Sequence, residues 1–339
     1  MTIPIQKKKI LASKSRRWLV RNSAGAALAA FGPHALSQSA WPNRPIRLII
    51  PFPPGGATDI IGRALANRLS TTLTQQVIIE NKPGAGGVIG ADMVAKSAAD
   101  GYTLLLGTSS THSVGPALNP KMPYDATRDF IPVVHVANAP SVLVVGSSFP
   151  ANTVTEFVSL LKRNPGKYNF GSSGIGTYPH LSAEMFKWRA GNLFVVHIPY
   201  RGTGLVIPDL ITGEIAFLMD SVVSAQTHIK DGKVKPLAVS GAQRSASLPQ
   251  VPTFTEVGIK GLEISNWFGI LAPAQTPADL VARINREVNA ALKTPDVVER
   301  FFKVGADPAG GTGDQFKEVI RADHESWKAL ITRAGIKPE

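Results

Sequence analysis

Apolar and polar positions along residues 41–339 switch repeatedly between strand and helix periods. Ile46-Arg47-Leu48-Ile49-Ile50 is a short, nearly continuous apolar run, the pattern of a buried strand. Ile61, Leu65 and Leu69 then recur every fourth residue and predict a helix. Gln76–Glu80 and Tyr102–Leu106 predict two further strands, with a helix over Val88–Lys96 between them. Val133–Val136 predicts a short strand, which Asn138-Ala139-Pro140 breaks before a second series begins at Ser141–Val145. In that series Thr153 and Glu156 form a capping box ahead of a helix with Val154, Phe157, Val158 and Leu161 on one face. Asn164-Pro165-Gly166 stops it. Strands are predicted at Tyr168–Phe170, Phe194–Ile198, Ile215–Met219 and Lys235–Ser240, and a helix carries Leu181, Met185 and Trp188 with Pro179 in its first turn. The chain returns through an apolar run at Ser265–Leu271. Two capped helices close it, one starting at Thr276-Pro277 and one at Thr312 with Gln315. The alternation predicts an α/β protein with largely parallel sheets.

One device recurs in this pattern: strands end in loops rich in Gly, Ser and Thr that open helices. The first reads Pro51-Phe52-Pro53-Pro54-Gly55-Gly56-Ala57-Thr58-Asp59. Three prolines stiffen it, and two glycines let a ligand approach bare backbone. Thr58 or Asp59 is placed to cap the following helix, whose free N–H groups and dipole favour an anion. The phosphate motifs are missing. The loop lacks Gly-x-x-x-x-Gly-Lys spacing, and the later run Gly84–Gly90 has Ile89 where a dinucleotide fingerprint needs glycine. In open α/β sheets ligands bind beyond the carboxyl ends of strands, and two facing series would enclose a cleft.

The chain has 339 residues, 44% of them hydrophobic, enough for two domains. Its net charge of +12 does not point to nucleic acid. Lys7, Lys8, Lys9, Lys14, Arg16, Arg17 and Arg21 fall in residues 1–40, which hold no acid; the rest carries 29 basic against 24 acidic residues, with no basic cluster interleaved with aromatics. Residues 1–40 have the layout of a cleaved export signal: a basic start, the weakly apolar Ala24–Leu36 segment, and small residues at Ala35-Leu36-Ser37. Ser15-Arg16-Arg17-Trp18-Leu19-Val20-Arg21 is close to the twin-arginine pattern, although a general secretory signal also tolerates paired arginines. There is no cysteine, which excludes disulfides, thiolate catalysis and Cys-based metal sites. His324-Glu325 is not followed by a second His at the spacing of a zinc helix, so no metal site is expected.

An ordered set of motifs runs through residues 41–339. It comprises Trp41-Pro42-x-Arg44-Pro45-Ile46, the Pro51–Asp59 loop, Glu80-Asn81-Lys82-Pro83-Gly84-Ala85-Gly86-Gly87, Asp100-Gly101-Tyr102-Thr103-Leu104 and Gly171-x-x-Gly174-x-Gly176-Thr177. Further on come Pro199-Tyr200-x-Gly202, Leu237-Ala238-Val239 with Arg244, Pro249-x-Val251-Pro252-Thr253-x-x-Glu256 and Trp267-Phe268-Gly269. On these motifs the chain resembles the substrate-binding proteins of tripartite tricarboxylate transporters, the Bug family. The resemblance implies a two-lobed, type II-like periplasmic binding protein that closes on its ligand like a Venus flytrap. It implies an export signal over 1–40, a first lobe from 41–140 and 263–339, and a second lobe from 141–262, with the hinge near Pro140 and near Gly261–Leu271. The implied ligand is a small carboxylate (a di- or tricarboxylate, an amino acid or an aromatic acid) held by backbone N–H groups, hydroxyls and waters.

Matched residue by residue, the resemblance places Phe52, Gly55, Gly56, Ala57, Asp59, Thr108, Ser110 and His112 of one lobe at the ligand, with Ser172, Ser173, Thr177 and Asp220 of the other. Arg201 stands where many relatives have Lys and could meet a second carboxylate in bidentate fashion; its alternative is a solvated surface residue. Asp220-Ser221-Val222 replaces the more usual Asp-Asn. Asp59 would repel a bound carboxylate, so it either faces an amino group, pairs with a cation, or caps its helix outside the immediate shell. His112 and His180 are read as hydrogen-bonded rather than metal-ligating, and Trp267 and Phe268 as hinge packing. Implied partners are membrane transporter subunits, or a sensing receptor instead, with a monomeric periplasmic protein and no cofactor. An exported hydrolase-like enzyme is the rival class, with Ser172 or Ser173 as nucleophile, but Ile175 departs from Gly-x-Ser-x-Gly.

Overall fold

A computed structural model describes residues 41–337, together with Thr2 and Pro4; otherwise the segment expected to direct export, with its paired arginines, lies outside the described residues. The chain opens with β1 (Ile46–Ile50), α1 (Ala57–Thr72), β2 (Val77–Asn81), α2 (Val88–Ala95) and β3 (Thr103–Thr108). β1 lies between β2 and β3, parallel to both. Ile46, Leu48, Ile49 and Ile50 are all buried, so both faces of this strand are covered and the run reads as continuously apolar. Ile61, Leu65 and Leu69 turn the expected face of α1 inward.

Beyond β3 the sequence suggests a loop, but Ser110–Val114 forms a π-helical turn that continues into α3 (Gly115–Leu118). Its hydroxyl-rich composition is used locally. Thr111 Oγ1 accepts from the Thr108 N–H at 3.1 Å and donates to the Thr108 carbonyl at 3.0 Å, while the Tyr124 hydroxyl donates to the Thr111 carbonyl at 2.7 Å.

The next difference is larger. Asn138-Ala139-Pro140 does not end a strand: β4 is a single strand of 17 residues, Phe130–Gly146. Up to Pro140 it pairs antiparallel with β9 (Ser265–Pro273), and from Ser141 onward with β7 (Phe217–Ser221) and β8 (Val234–Val239). The proline sits where the ladder changes neighbours, a place where a missing donor is tolerated. The following N–H, that of Ser141, goes to Ser240 Oγ at 2.8 Å.

The second half adds α4 (Val154–Arg163), β5 (Asn169–Ser172), α5 (Tyr178–Arg189), β6 (Val196–Pro199), α6 (Val206–Thr212) and, after β7, α7 (Val222–Lys230). Thr153 caps α4 by accepting from the Glu156 N–H at 3.2 Å, and the Glu156 carboxylate accepts from the Asn152 N–H rather than from the cap itself. The core here is aromatic, with Phe157 and Phe170 each within about 5.4 Å of Phe217. Parallel pairing is confined to the flanks: β2 and β3 on β1, β6 and β7 on β5. The centre, where β9 meets β3 and β4, and β4 meets β7 and β8, is antiparallel. The expectation of largely parallel sheets is therefore corrected to a mixed sheet, because the two long strands traverse the molecule in opposite directions.

Three helices follow β9 instead of the expected two: α8 (Ala278–Leu292), α9 (Pro295–Val304) and, after the two-residue β10 (Asp307–Pro308), α10 (Gly313–Ala334). α9 had its signals in the sequence, with Pro295 in the first turn and left-handed Gly305 at its end. Thr276 does not cap α8; its hydroxyl donates to the Pro273 carbonyl at 2.8 Å. Thr312 and Gln315 close both legs of a capping box on α10, at 3.1 and 2.8 Å. α10 then links two cores. Phe316 and Ile320 pack with Ile49 and Trp267, whereas Trp327 and Ile331 pack with the Phe157 and Phe217 cluster.

Gly269 in β9 tests how tightly this is fitted, since an added Cβ would stand 2.1 Å from the Phe316 ring. Gly269→Ala is expected to destabilise the fold by about 1–3 kcal/mol. The check is urea unfolding, and an unchanged midpoint would show that the Phe316 ring moves aside without cost.

Candidate functional site

The ends of β1, β3, β5, β6 and β7 and the start of β9 converge on one partly open cavity of about 40 Å³. That is room for roughly three water-sized groups. The first half contributes Phe52, Pro53, Gly56, Ala57, Thr58, Thr108 and Ser110, and the second Ser173, Tyr178, Pro179, Gly202, Thr203, Gly204, Asp220 and Ser221, with Asn266 from β9. The halves touch around it. Tyr178 N–H donates to Ser110 Oγ at 2.9 Å, and Pro53 lies so close to Gly202 that an added Cβ would stand 2.5 Å from it.

No Lys or Arg lines the cavity. Donors come instead from the first turn of α1, where Gly56 is the N-cap without a side-chain cap and the leading N–H groups have no intrahelical acceptor. The helix dipole adds positive potential at the same place. Hydroxyls of Ser110, Ser173, Thr108 and Thr203 add groups that either donate or accept.

Four side-chain atoms among the lining residues are buried without a hydrogen-bond partner: Thr108 Oγ1, Tyr178 Oη, Asp220 Oδ2 and Asn266 Oδ1. Such a group costs about 1–3 kcal/mol when left unanswered. Asp220 is the most exacting of them. Its Oδ1 accepts from the Ser221 N–H at 2.8 Å. Burial pushes its pKa up to about 6, and the nearby Ser224 and Thr203 hydroxyls ease it downward without closing a bond to Oδ2.

Seven of the residues singled out in the sequence line the cavity: Phe52, Gly56, Ala57, Thr108, Ser110, Ser173 and Asp220. The other six lie outside it. Asp59 is buried behind the loop, where its Oδ2 accepts from the Gly55 N–H at 3.0 Å and Arg63 Nε at 2.9 Å, and its Oδ1 from Asn81 Nδ2 at 3.0 Å. It therefore ties down the start of α1 and pairs with a cation, and does not face the cavity. Gly55 is the exposed tip of that turn, at φ +84°. His112 is buried against Phe130 with its Nδ1 2.9 Å from Thr111 Oγ1, and burial pushes its pKa down to about 3. Thr177 Oγ1 donates to the Gly174 carbonyl at 2.6 Å, which spends it on loop shape. Arg201 is exposed to solvent.

Ser172 is the instructive case. Its Oγ lies 2.7 Å from His197 Nε2, a pairing invisible in the sequence. Yet Ser172 is fully buried, its Oγ accepts from the Gly174 N–H at 3.0 Å, and His197 stacks on His180 at 4.0 Å. The pair braces the turn from below and has no access to the cavity. Sequence reasoning passed over Thr203, Tyr178 and Asn266. Thr203 follows the same Gly/Thr loop rule applied elsewhere, and Asn266 is a polar residue inside an otherwise apolar strand. Trp267 is core, donating from Nε1 to Asp323 Oδ2 at 2.8 Å.

A larger groove of about 1110 Å³ opens on the first half between the segment after α3, α8 and α10. It shares no lining residue with the interlobe cavity, and its walls mix Arg128, Lys317 and Arg321 with Asp129, Asp314 and Glu325. Convergent buried polar groups, not volume, make the smaller cavity the candidate site. Among the described residues there is no cluster of acids and histidines able to hold a metal ion, and no helix long and apolar enough to cross a membrane.

Comparison with known proteins gives a consistent result. The family model described as tripartite tricarboxylate transporter family receptor matches residues 61–336. Rpa4515 of R. palustris, solved with adipate, is 34% identical, with a TM-score of 0.86 over 88% of this chain and 100% of that one. The periplasmic binding protein BugD is 32% identical, with a TM-score of 0.85 over 88% and 100% of the two chains. MatC from Rhodopseudomonas palustris, with bound malate, is 30% identical, with a TM-score of 0.82 over 86% and 100%.

The two buried aspartates predict opposite pH signatures. For Asp59, burial works to raise the pKa, but Arg63, the Gly55 N–H and Asn81 together hold it below the usual value. Its contribution is present above about pH 3.9, the unfolded value, and is lost as pH falls through the lower folded pKa. For Asp220 the folded pKa is raised, so its contribution is present below the unfolded value and is lost as pH rises through about 6. Asp59→Asn should therefore be less stable than wild type at neutral pH, with the gap closing in acid. Asp220→Asn should gain on wild type as pH passes upward through about 6. Urea midpoints measured across pH check both, and a pH-independent gap for either variant would contradict its assignment.

Proposed function

Because the chain belongs to the tripartite tricarboxylate transporter receptor family, we propose that it captures a small carboxylate between its lobes outside the cytoplasm and delivers it to the membrane subunits of a tripartite transporter. The chain has the two-lobed α/β fold of periplasmic binding proteins, and it is a binding receptor of the Bug family rather than an enzyme. The observation that carries the reading is the cavity wall: the uncapped first turn of α1 together with a ring of hydroxyls, and no Lys or Arg.

A carboxylate suits that wall. It takes up several N–H and O–H donors at once, and charge-assisted hydrogen bonds of this kind are the strong ones. The helix end supplies positive potential without a mobile charged side chain. The relatives Rpa4515 and MatC, solved with adipate and malate, support the ligand class. Since the walls come from both lobes, a bound acid bridges them and favours the closed arrangement over an open one by its difference in affinity for the two. The periplasm is the compartment that fits a receptor of this fold with a basic, weakly apolar segment ahead of it.

Two measurements test this. A ligand at 100 times its dissociation constant adds about 2.7 kcal/mol to stability, so one or more members of a broad panel of mono-, di- and tricarboxylates should raise the Tm of ligand-free protein. No shift from any member would overturn the proposal. The second uses Gly56, whose φ of −78° suits any residue and whose added Cβ would stand 3.9 Å from its nearest neighbours. Gly56→Val should therefore fold, with its branches filling the space beside the N–H groups. The shift seen with wild type should disappear while the circular dichroism spectrum stays unchanged; retained affinity would rule out the α1 cradle.

A further inference from the structure

We propose that Asp220 and Asn266 form an acceptor pair that makes the cleft select carboxylates carrying a hydrogen-bond donor, a hydroxyl or an ammonium group, beside the carboxyl group. The inference rests on the carboxylate reading and narrows it. It comes from an asymmetry in the cavity wall. One side presents N–H donors from the first turn of α1. The other presents Asp220 Oδ2 and Asn266 Oδ1, both buried and both without a partner.

Neither acceptor can satisfy the other, since an ionised carboxylate and an amide carbonyl accept only. No Lys or Arg among the lining residues can answer them. Asp220 cannot readily turn away either. It lies near the end of β7, in register with Val142 of β4, and its Oδ1 is held at 2.8 Å by the Ser221 N–H. That bond occupies Oδ1 and leaves Oδ2, on a residue that lines the cavity, as the oxygen still to be answered. A ligand that brought a second anionic oxygen to this side would meet like charge at close range. A ligand with a hydroxyl or ammonium there would give both acceptors a donor while its carboxylate takes the α1 end. Thr108 and Tyr178, whose hydroxyls are also unpartnered, serve either role. The space of about 40 Å³ suits a carboxyl head with a donor on the adjoining carbon. Asp59, the acid that the sequence offered for an amino group, is already spent on Gly55, Arg63 and Asn81.

The test is isothermal titration of ligand-free full chain with matched trios: propionate, lactate and alanine, then succinate, malate and aspartate, and the donor-free and donor-bearing analogues of whatever acid the broad panel finds. In at least one trio a donor-bearing member should bind wild type at least about tenfold tighter than its donor-free counterpart, a gap of about 1.4 kcal/mol. Asp220→Ala should shrink that preference below about threefold while donor-free binding persists. Asn266→Ala supplies the same reading if Asp220→Ala does not fold. Hydroxyl and ammonium ligands are separated within each trio, and a further gain for ammonium marks Asp220 as ionised. Equal binding of donor-free acids by wild type, or a preference that survives both substitutions, would overturn the inference and leave the carboxylate reading standing. If no acid of any kind binds, the carboxylate reading itself fails and this inference falls with it.

Discussion

The structure depends on one backbone ladder, the antiparallel pair formed by β4 and β9. Buried backbone N–H and C=O groups have to be paired, and a chain passing between two halves has few places to find partners. Here the two crossing segments supply them to each other. Their register runs from Phe130 opposite Pro273 to Pro140 opposite Ser265, so the outward and return crossings lie side by side. Ser240 fastens the same spot: it gives its N–H to the Ser141 carbonyl, takes the Ser141 N–H on its hydroxyl, and donates that hydroxyl to the Ile264 carbonyl. α10 is the second tie, with one end in each core. The β-strand ends that face the cavity inherit their positions from these ties.

Within that frame the two buried aspartates show what decides a charge's fate. Each sits at a strand-to-helix junction, Asp59 in the first turn of α1 and Asp220 near the end of β7. Asp59 receives three hydrogen bonds, one of them from a guanidinium, and the sum outweighs burial. Asp220 receives one backbone N–H bond, and burial wins. The difference lies in what packs around each group, because an isolated buried charge is costly until something answers it. The first aspartate therefore shapes the loop, and the second is left as a demand on whatever enters the cleft.

Much of this was legible in the sequence where one residue type decides the outcome alone. The apolar run of β1, the α10 capping box at Thr312 and Gln315, and the glycine turn ahead of α1 depend on local chemistry and appear where local chemistry puts them. What was not legible depends on partners distant in the chain. Pro140 reads as a breaker until one sees that the strand changes neighbours there. The Ser110–Val114 segment reads as a loop because hydroxyls suit loops, yet Thr111 and Tyr124 use theirs, with the Thr108 backbone, to hold a buried turn. The glycine loops were located correctly as strand-end turns, but the sequence did not say which of their side chains point inward. Ser172 and Ser173 are adjacent and alike, and only the second reaches the cavity.

That last distinction separates two jobs that a Gly/Ser/Thr loop performs. In the turn after β5, Ser172 and Thr177 spend their hydroxyls on the Gly174 backbone, which fixes the turn's shape and leaves little to offer a ligand. In the turn after β1 the shape is fixed from behind, by Asp59 and Asn81, so the N–H groups at the front stay free. The second lobe's polar contribution then has to come from deeper in the fold, from Asp220 at the end of β7 and Thr203 beside it. A cleft built this way has a donor-rich wall whose geometry does not depend on the ligand and an opposing wall whose acceptors do. Selectivity among acids of similar size should accordingly follow the second wall, since the first greets every carboxylate alike.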